Sequence, residues 1–359
     1  MTRSMANDSI NRKSGGPRRR GINYDVGTYT RGPDQPSSRE LFDPETVRKE
    51  MEIIQSELHC TSIRISGRDV GRLVAASECA LHQGLEVWFS PALIDEEEQA
   101  MLEYYRECAI AAETLRRKGA DVVFVAGCEL SLFMKGILEG ATSFDRIGVL
   151  MSPWRLLKYT IRKGSFHKRL NAFLSKAVNV IREHFHGQVT YASGTWENVN
   201  WGPFDIVSAD HYRDAYNDKS YREQLRAYFK YGKPVVITEF GCCTYEGAQD
   251  RGGYGWNAVD HGHSPKRLGE GIVRDEQVRV RYMRELFDIF QEEGVDGAFW
   301  FTFAMPSYPY DEEPAFNLDT ASYSVVRTFK DGRTGVVYPG MPWDTKASFS
   351  ALGELYDRP

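Results

Sequence analysis

The feature that most constrains this chain is one alternation repeated eight times: a short run rich in β-branched residues, then a stretch with apolar residues at helical spacing. The runs cover residues 21–27, 61–66, 85–90, 121–130, 189–193, 205–212, 233–241 and 296–303. The intervals between them read as helices. Asp43 caps one with Pro44 at its first position, and Val47, Met51, Ile54 and Leu58 follow at helical spacing. A second passes through Val70, Leu73, Val74, Ser77 and Leu81, and a third covers about 95–117, acidic in its first turn and basic in its last, as the helix dipole favours. A long amphipathic stretch occupies roughly 154–184, a helix lies near Tyr221, Leu225, Tyr228 and Phe229, another covers 275–293, and Pro342 opens a closing helix.

Strands alternating one by one with helices predict a parallel sheet, and eight such repeats predict a (β/α)8 barrel, the TIM barrel. The 359 residues and a hydrophobic content of 42% suit one large domain, with long loops after the seventh strand (244–271) and the eighth. A doubly wound sheet is the alternative. It calls for a Gly-rich phosphate loop after the first strand, and the sequence has none. Residues 1–20, polar and ending in Gly15-Gly16-Pro17-Arg18-Arg19-Arg20, read as a solvated basic arm, which makes 21–359 the barrel domain.

A net charge of −5 argues against nucleic acid as a partner. The six cysteines have no metal-type spacing and suit a reducing compartment with free thiols. No apolar h-region marks the first twenty residues, and no run approaches the ~18 apolar residues of a membrane span. The expectation is a cytoplasmic protein with no membrane partner.

Two of the eight strands end in a carboxylate. Residues 121–130 close on Glu129 and residues 233–241 on Glu239. In a barrel of this kind reactive groups sit at the C-terminal ends of strands, and strands four and seven face each other across the mouth. A pair of carboxylates held there can split a glycosidic bond: one protonates the leaving oxygen, the other attacks the anomeric carbon, and the first then activates water. The 7 Trp and 19 Tyr are enough to line a sugar cleft as well as fill a core.

From Gly21 to about Phe303 the layout resembles clan A of the glycoside hydrolases, retaining enzymes on (β/α)8 barrels. The resemblance implies Glu129 as acid/base and Glu239 as nucleophile. It makes Arg64, in Ile-Arg-Ile on strand two, the cation that keeps the nucleophile ionised. His211 and Tyr212 match the polar–aromatic pair beside the nucleophile, and Trp300 matches the platform under the reacting sugar. The clan usually has Asn before the acid/base Glu, and this chain has Cys128. Gly127-Cys-Glu-Leu130 is similar to the Gly-x-Glu-Leu of some mannan-cleaving branches, which points to a β-mannoside or β-glucoside. The segments 318–326 and 338–343 resemble actinobacterial chains labelled abortive infection protein.

Each residue also has a plainer reading. His211 is either a site residue or a satisfied core histidine, and Trp300 either floors the sugar or plugs the barrel. Asp25, at the end of strand one, contacts sugar hydroxyls or only caps a turn. Trp196, Glu197 and Asn198, after strand five, stand where substrate contacts belong, with Glu197 the rival for a carboxylate role. His261-Gly-His263 lacks a third ligand, so no metal is expected, and no cofactor. Cys242 and Cys243 read as packing residues, with a nucleophilic Cys243–His211 pair as a distant alternative. A carbohydrate substrate is the expected partner. A barrel that binds carbohydrate or a protein without hydrolysing it, and a transglycosylase using the same residues, are the other functional readings.

Overall fold

Every one of the eight runs forms a strand in the computed structural model, which describes residues 16–28 and 36–358. The strands are β1 (Arg19–Gly27), β2 (Ser62–Gly67), β3 (Glu86–Pro91), β4 (Val122–Cys128), β5 (Gln188–Gly194), β6 (Val207–Asp210), β7 (Val235–Phe240) and β8 (Gly297–Trp300). They pair in parallel in chain order, and β8 returns to β1, closing the barrel. The outer helices are α1 (Pro44–Ser56), α2 (Val70–His82), α3 (Glu98–Arg117), α4 (Leu130–Phe133), α5 (Ser143–Leu150), α6 (Pro153–Lys163), α7 (Phe166–His184), α8 (Tyr221–Arg226), α9 (Glu276–Glu293) and α10 (Ala347–Tyr356).

Strand alternation divides the apolar residues into two layers. Trp88, Val123, Val125, Ala192, Ile206, Val236 and Phe299 fill the barrel interior. Their neighbours, among them Ile63, Ile65, Val87, Phe124, Ile237, Ala298 and Trp300, face the helices. The bottom is closed by polar groups. Arg19 is 2% exposed and pairs with Glu86 and Asp296, while the Trp88 indole donates to Glu86 at 2.9 Å. Arg19 and Arg20 therefore belong to β1 and not to a solvated arm, because the first strand must extend that far to pair with β8. Of the rest of the arm, residues 1–15 lie outside the described residues.

Two irregularities aim the strand ends. Along β4, Val125 pairs with Thr190 but Cys128 with Ala192, so β4 carries one extra residue, with Gly127 at φ +97°. A Cβ at Gly127 would lie 2.6 Å from the Tyr105 hydroxyl, so only glycine fits. Along β7, Ile237 pairs with Ala209 but Glu239 with Asp210. Strict alternation from Val236 would turn Glu239 outward. The bulge turns it in.

The amphipathic stretch 154–184 is two helices, α6 and α7, separated at Gly164. The short helices α4 and α5 precede them. The tail departs from the expected helix at Pro342: Trp343–Thr345 pairs with Val326–Thr328 as a two-stranded ribbon, and α10 follows. Among the described residues no helix is long and apolar enough to cross a membrane.

Candidate active site

Glu239 sits at the mouth with its side chain 14% exposed, held by donors on both oxygens. Arg64 Nη1 donates to Oε1 at 2.8 Å and the Tyr212 hydroxyl to Oε2 at 2.9 Å. Arg64 points inward because its neighbours Ile63 and Ile65 point out. Its guanidinium is buried and braced: Nε donates to Ser90 Oγ at 3.2 Å and Nη1 to Asn23 Oδ1 at 3.3 Å. Asn23 Nδ2 in turn donates to the Thr238 carbonyl at 2.9 Å, tying β1 to the strand that carries Glu239.

A third carboxylate stands beside this pair. Asp210 is the register partner of Glu239, with Oδ1 at 3.8 Å from Arg64 Nη1 and no hydrogen-bond partner on that oxygen. Burial first, and then the Glu239 charge, push the Asp210 carboxyl up to about 8. The direction follows from the geometry, because Arg64 stands 1 Å nearer to Glu239 than to Asp210. The Cys128 thiol donates to Asp210 Oδ2 at 3.2 Å and lies 3.7 Å from Glu239 Oε1. Burial and the surrounding acids raise that thiol well above its ordinary range, so it is a neutral donor and not a thiolate. The Cys128, Asp210 and Glu239 donor atoms lie within 4.8 Å of one another, a spacing a metal ion could span. Arg64 already supplies a positive charge at that point.

Glu129 adopts a left-handed backbone conformation (φ 44°, ψ 45°) as the cap residue of α4. That turn is held from β5 and the loop behind it. The Tyr191 hydroxyl accepts from the Leu130 amide at 2.7 Å and donates to Glu197 Oε2 at 2.7 Å, while Glu197 Oε1 accepts from the Ser131 amide at 3.0 Å. The Trp196 indole donates to Ser131 Oγ at 3.0 Å. Burial raises the Glu129 carboxyl well above the usual range, and the charges of Asp210, Glu239 and Glu197 add to it. A buried acid facing other acids holds its proton to higher pH than a free carboxyl does. Tyr254, in the loop after β7, is near enough that, after burial, the Glu129 charge raises its phenol.

The structure thus brings Glu129, Glu239, Arg64 and Tyr212 to one mouth. Others of the expected residues fall elsewhere. His211 follows the inward Asp210 on its strand and so points outward: it is fully buried, bonded to Gln224 at 3.3 Å and packed on Tyr221, and burial lowers it to about 4. Trp300 likewise follows the inward Phe299 and faces the helices, fully buried, its indole on the Tyr323 carbonyl at 3.2 Å. It presents no surface to a sugar. The next residue, Phe301, is partly exposed beside Tyr323, which also meets Tyr212 edge-on.

Asp25 caps a turn, accepting from the Gly27 amide at 2.9 Å. Glu197 and Trp196 brace the Glu129 turn, and Glu197 spends both oxygens there. Asn198 is exposed, and its backbone ties the loop to α7 through His167 and Asn171. His263 pairs with Asp260 and His261 packs against Trp256, so the two do not converge. The six cysteines are free, and the Cys243 thiol, pushed up to about 12 by burial, donates to the Ala321 carbonyl, away from His211. Asn23, Ser90 and Asp210 were not expected. For Asp210 the signal was present: Ile206, Ser208 and Asp210 share a parity, opposite to His211.

No protein-family model matches the chain, and no curated protein is similar to it in sequence. Solved structures are similar in fold. A GH113 β-1,4-mannanase superposes with a TM-score of 0.61 at 15% identity, covering 96% of this chain and 100% of its own. The GH113 β-mannanase AaManA from Alicyclobacillus acidocaldarius, in complex with ManMIm, gives 0.56 at 15% identity over 96% and 98%. The hyperthermostable endo-1,4-β-D-mannanase from Thermotoga petrophila gives 0.51 at 11% identity over 94% and 99%. At these identities the likeness establishes the (β/α)8 fold.

Proposed function

We propose that this chain is a retaining glycoside hydrolase of the clan A kind, acting on β-mannoside or related β-linked glycosides. The observation that carries this reading is the unequal treatment of two strand-end glutamates. Glu239 receives a guanidinium and a phenol, donors to a negative charge, whereas Glu129 stands among acids that hold its proton in place. The Glu239 carboxylate attacks the anomeric carbon as Glu129 gives its proton to the glycosidic oxygen, and the aglycone leaves as an alcohol. Glu129, now ionised, takes a proton from water. The resulting hydroxide displaces Glu239 and returns both residues to their starting states. The mannoside preference rests on Gly127-Cys-Glu-Leu130 and on the mannanases among the structures of similar fold.

The test is turnover of β-1,4-manno-oligosaccharides by the wild type and by Glu239→Gln. The variant should lose hydrolysis while still binding the oligosaccharide. A fully active Glu239→Gln enzyme would remove Glu239 from the chemistry. Binding without turnover by the wild type, unchanged in Glu129→Ala, would make the chain a carbohydrate-binding barrel, and longer products from the wild type would make it a transglycosylase.

A further inference from the structure

Helix α6 carries an apolar stripe that the described residues leave largely uncovered. Trp154 is 81% exposed, Leu157 50% and Ile161 78%, and Met151, just ahead of the helix, 58%. The stripe lies opposite Tyr159, the buried residue that fastens the helix to the Ile137 carbonyl. A surface helix ordinarily turns its apolar stripe inward. This one is inverted, and no acid stands between Pro153 and Lys163 to solvate it. The charged residues of the helix are Arg155, Lys158, Arg162 and Lys163, all basic, in a chain of net charge −5. At 100° per residue Lys158 borders the stripe, with Arg162 and Arg155 following on the same flank. Arg162 reaches Glu139, while Arg155, Lys158 and Lys163 enter no ion pair among the described residues.

The position of α6 relates it to the mouth. It belongs to the excursion that follows β4, on the side where the strands end. Its neighbour α5 places Phe144 edge-on to Trp256 of the loop after β7, with 6.1 Å between rings. We propose that α6 is an interfacial helix that seats this rim of the barrel on an anionic lipid surface.

Exposed Trp, Leu and Ile framed by Lys and Arg form the pattern of a helix lying in the headgroup plane, and a Trp at the end of the stripe suits that depth. A second copy fits less well, since a two-fold contact would set Arg155 and Lys158 against their own equivalents. An eleven-residue helix lying flat never registers in a search for spans of ~18 apolar residues, which is why the sequence led to an expectation of no membrane contact. The proposal does not depend on the hydrolase reading. If both hold, the glycoside is met at a membrane surface.

The test is co-sedimentation with phosphatidylcholine vesicles, with and without phosphatidylglycerol. The full chain should pellet with the anionic vesicles and stay in solution with the neutral ones. Replacing Arg155 and Lys158 together by Gln should weaken partition by about 25-fold, at roughly fivefold per basic residue. Trp154→Glu with Ile161→Glu should abolish it. These side chains are exposed, and unchanged melting of the variants would exclude misfolding. No pelleting of the wild type, or pelleting that survives the double Glu variant, would overturn the proposal. So would light scattering that reveals a wild-type dimer made monomeric by the Glu variant without vesicle binding, since the face would then serve self-association. Saturable capture of an acidic soluble protein in place of vesicles would also overturn it.

Discussion

Asp210→Asn is the substitution whose effect is most closely fixed by the geometry. Asp210 is a buried acid with one unpartnered oxygen, next to a Glu239 that takes the nearer position to their shared Arg64. Its folded-state value, about 8, stands above the ordinary 3.8, so between those limits the folded protein holds one proton more than the unfolded chain. Stability contributed by this group is complete below the unfolded value and is lost as pH rises toward the folded one. The slope is about −1.4 kcal/mol per pH unit, or on the order of 3 kcal/mol between pH 5 and pH 7. Asn cannot ionise, so the variant lacks this loss. For a chain of this length the unfolding entropy is about 0.7 kcal/mol per degree, which converts the difference to roughly 4 °C. Burial raises Glu129 in both proteins, and a protonated Asp210 carries no more charge than Asn, so the Glu129 contribution cancels to first order. Melting curves at pH 5 and pH 7 measure the effect: from pH 5 to pH 7 the wild-type Tm should fall relative to that of Asp210→Asn by about 4 °C. Parallel shifts of the two proteins would show that Asp210 is ionised throughout and refute the assignment of its proton.

Three further outcomes follow from the same geometry. Tyr212→Phe removes the 2.9 Å bond to Glu239; at about 1.5–3 kcal/mol for a hydrogen bond to a charged group, Tm should fall by about 2–4 °C, and kcat/KM should fall at least tenfold as the nucleophile loses its second donor. Glu197→Ala leaves the Ser131 amide and the Tyr191 hydroxyl without their acceptor; Tm should fall by about 3 °C or more, at 1–3 kcal/mol for each buried group left unpaired, and kcat should drop because the Glu129 turn loses its brace. Phe301→Ala should raise KM several-fold with little loss of stability, whereas Trp300→Phe should lower Tm and leave kcat/KM within about twofold, as steady-state kinetics and melts of both variants would show.

The barrel was legible because its evidence is periodic and repeated eight times, so no single strand had to be right. Glu129, Glu239 and Arg64 were legible because a charge at the end of, or inside, an apolar run is costly without a partner. Register was harder. A slip of one residue exchanges the inside of the barrel for the outside, and that slip separates Trp300 from Phe301 and His211 from Asp210. The bulges that turn Cys128 and Glu239 inward depend on pairing across strands, which one strand read alone does not contain. Glu197 looked catalytic for the reason that made Glu239 look so, an acid near a strand end. Only its four neighbours, Tyr191, Ser193, Gly194 and Ser131, reveal a brace. The stripe on α6 was visible as amphipathicity, but its outward orientation is a property of the packing.

The central claim, that Glu239 is the nucleophile of a double displacement, is tested most directly by trapping the glycosyl-enzyme. The wild type is incubated with 2-deoxy-2-fluoro-β-mannosyl and β-glucosyl fluorides, and the digested protein is mapped by mass spectrometry. One sugar per chain, ester-linked to Glu239 and absent from Glu239→Gln, is the predicted result. A label on Glu129 or Asp210, or hydrolysis of a natural β-glycoside with inversion and no covalent adduct, would contradict it.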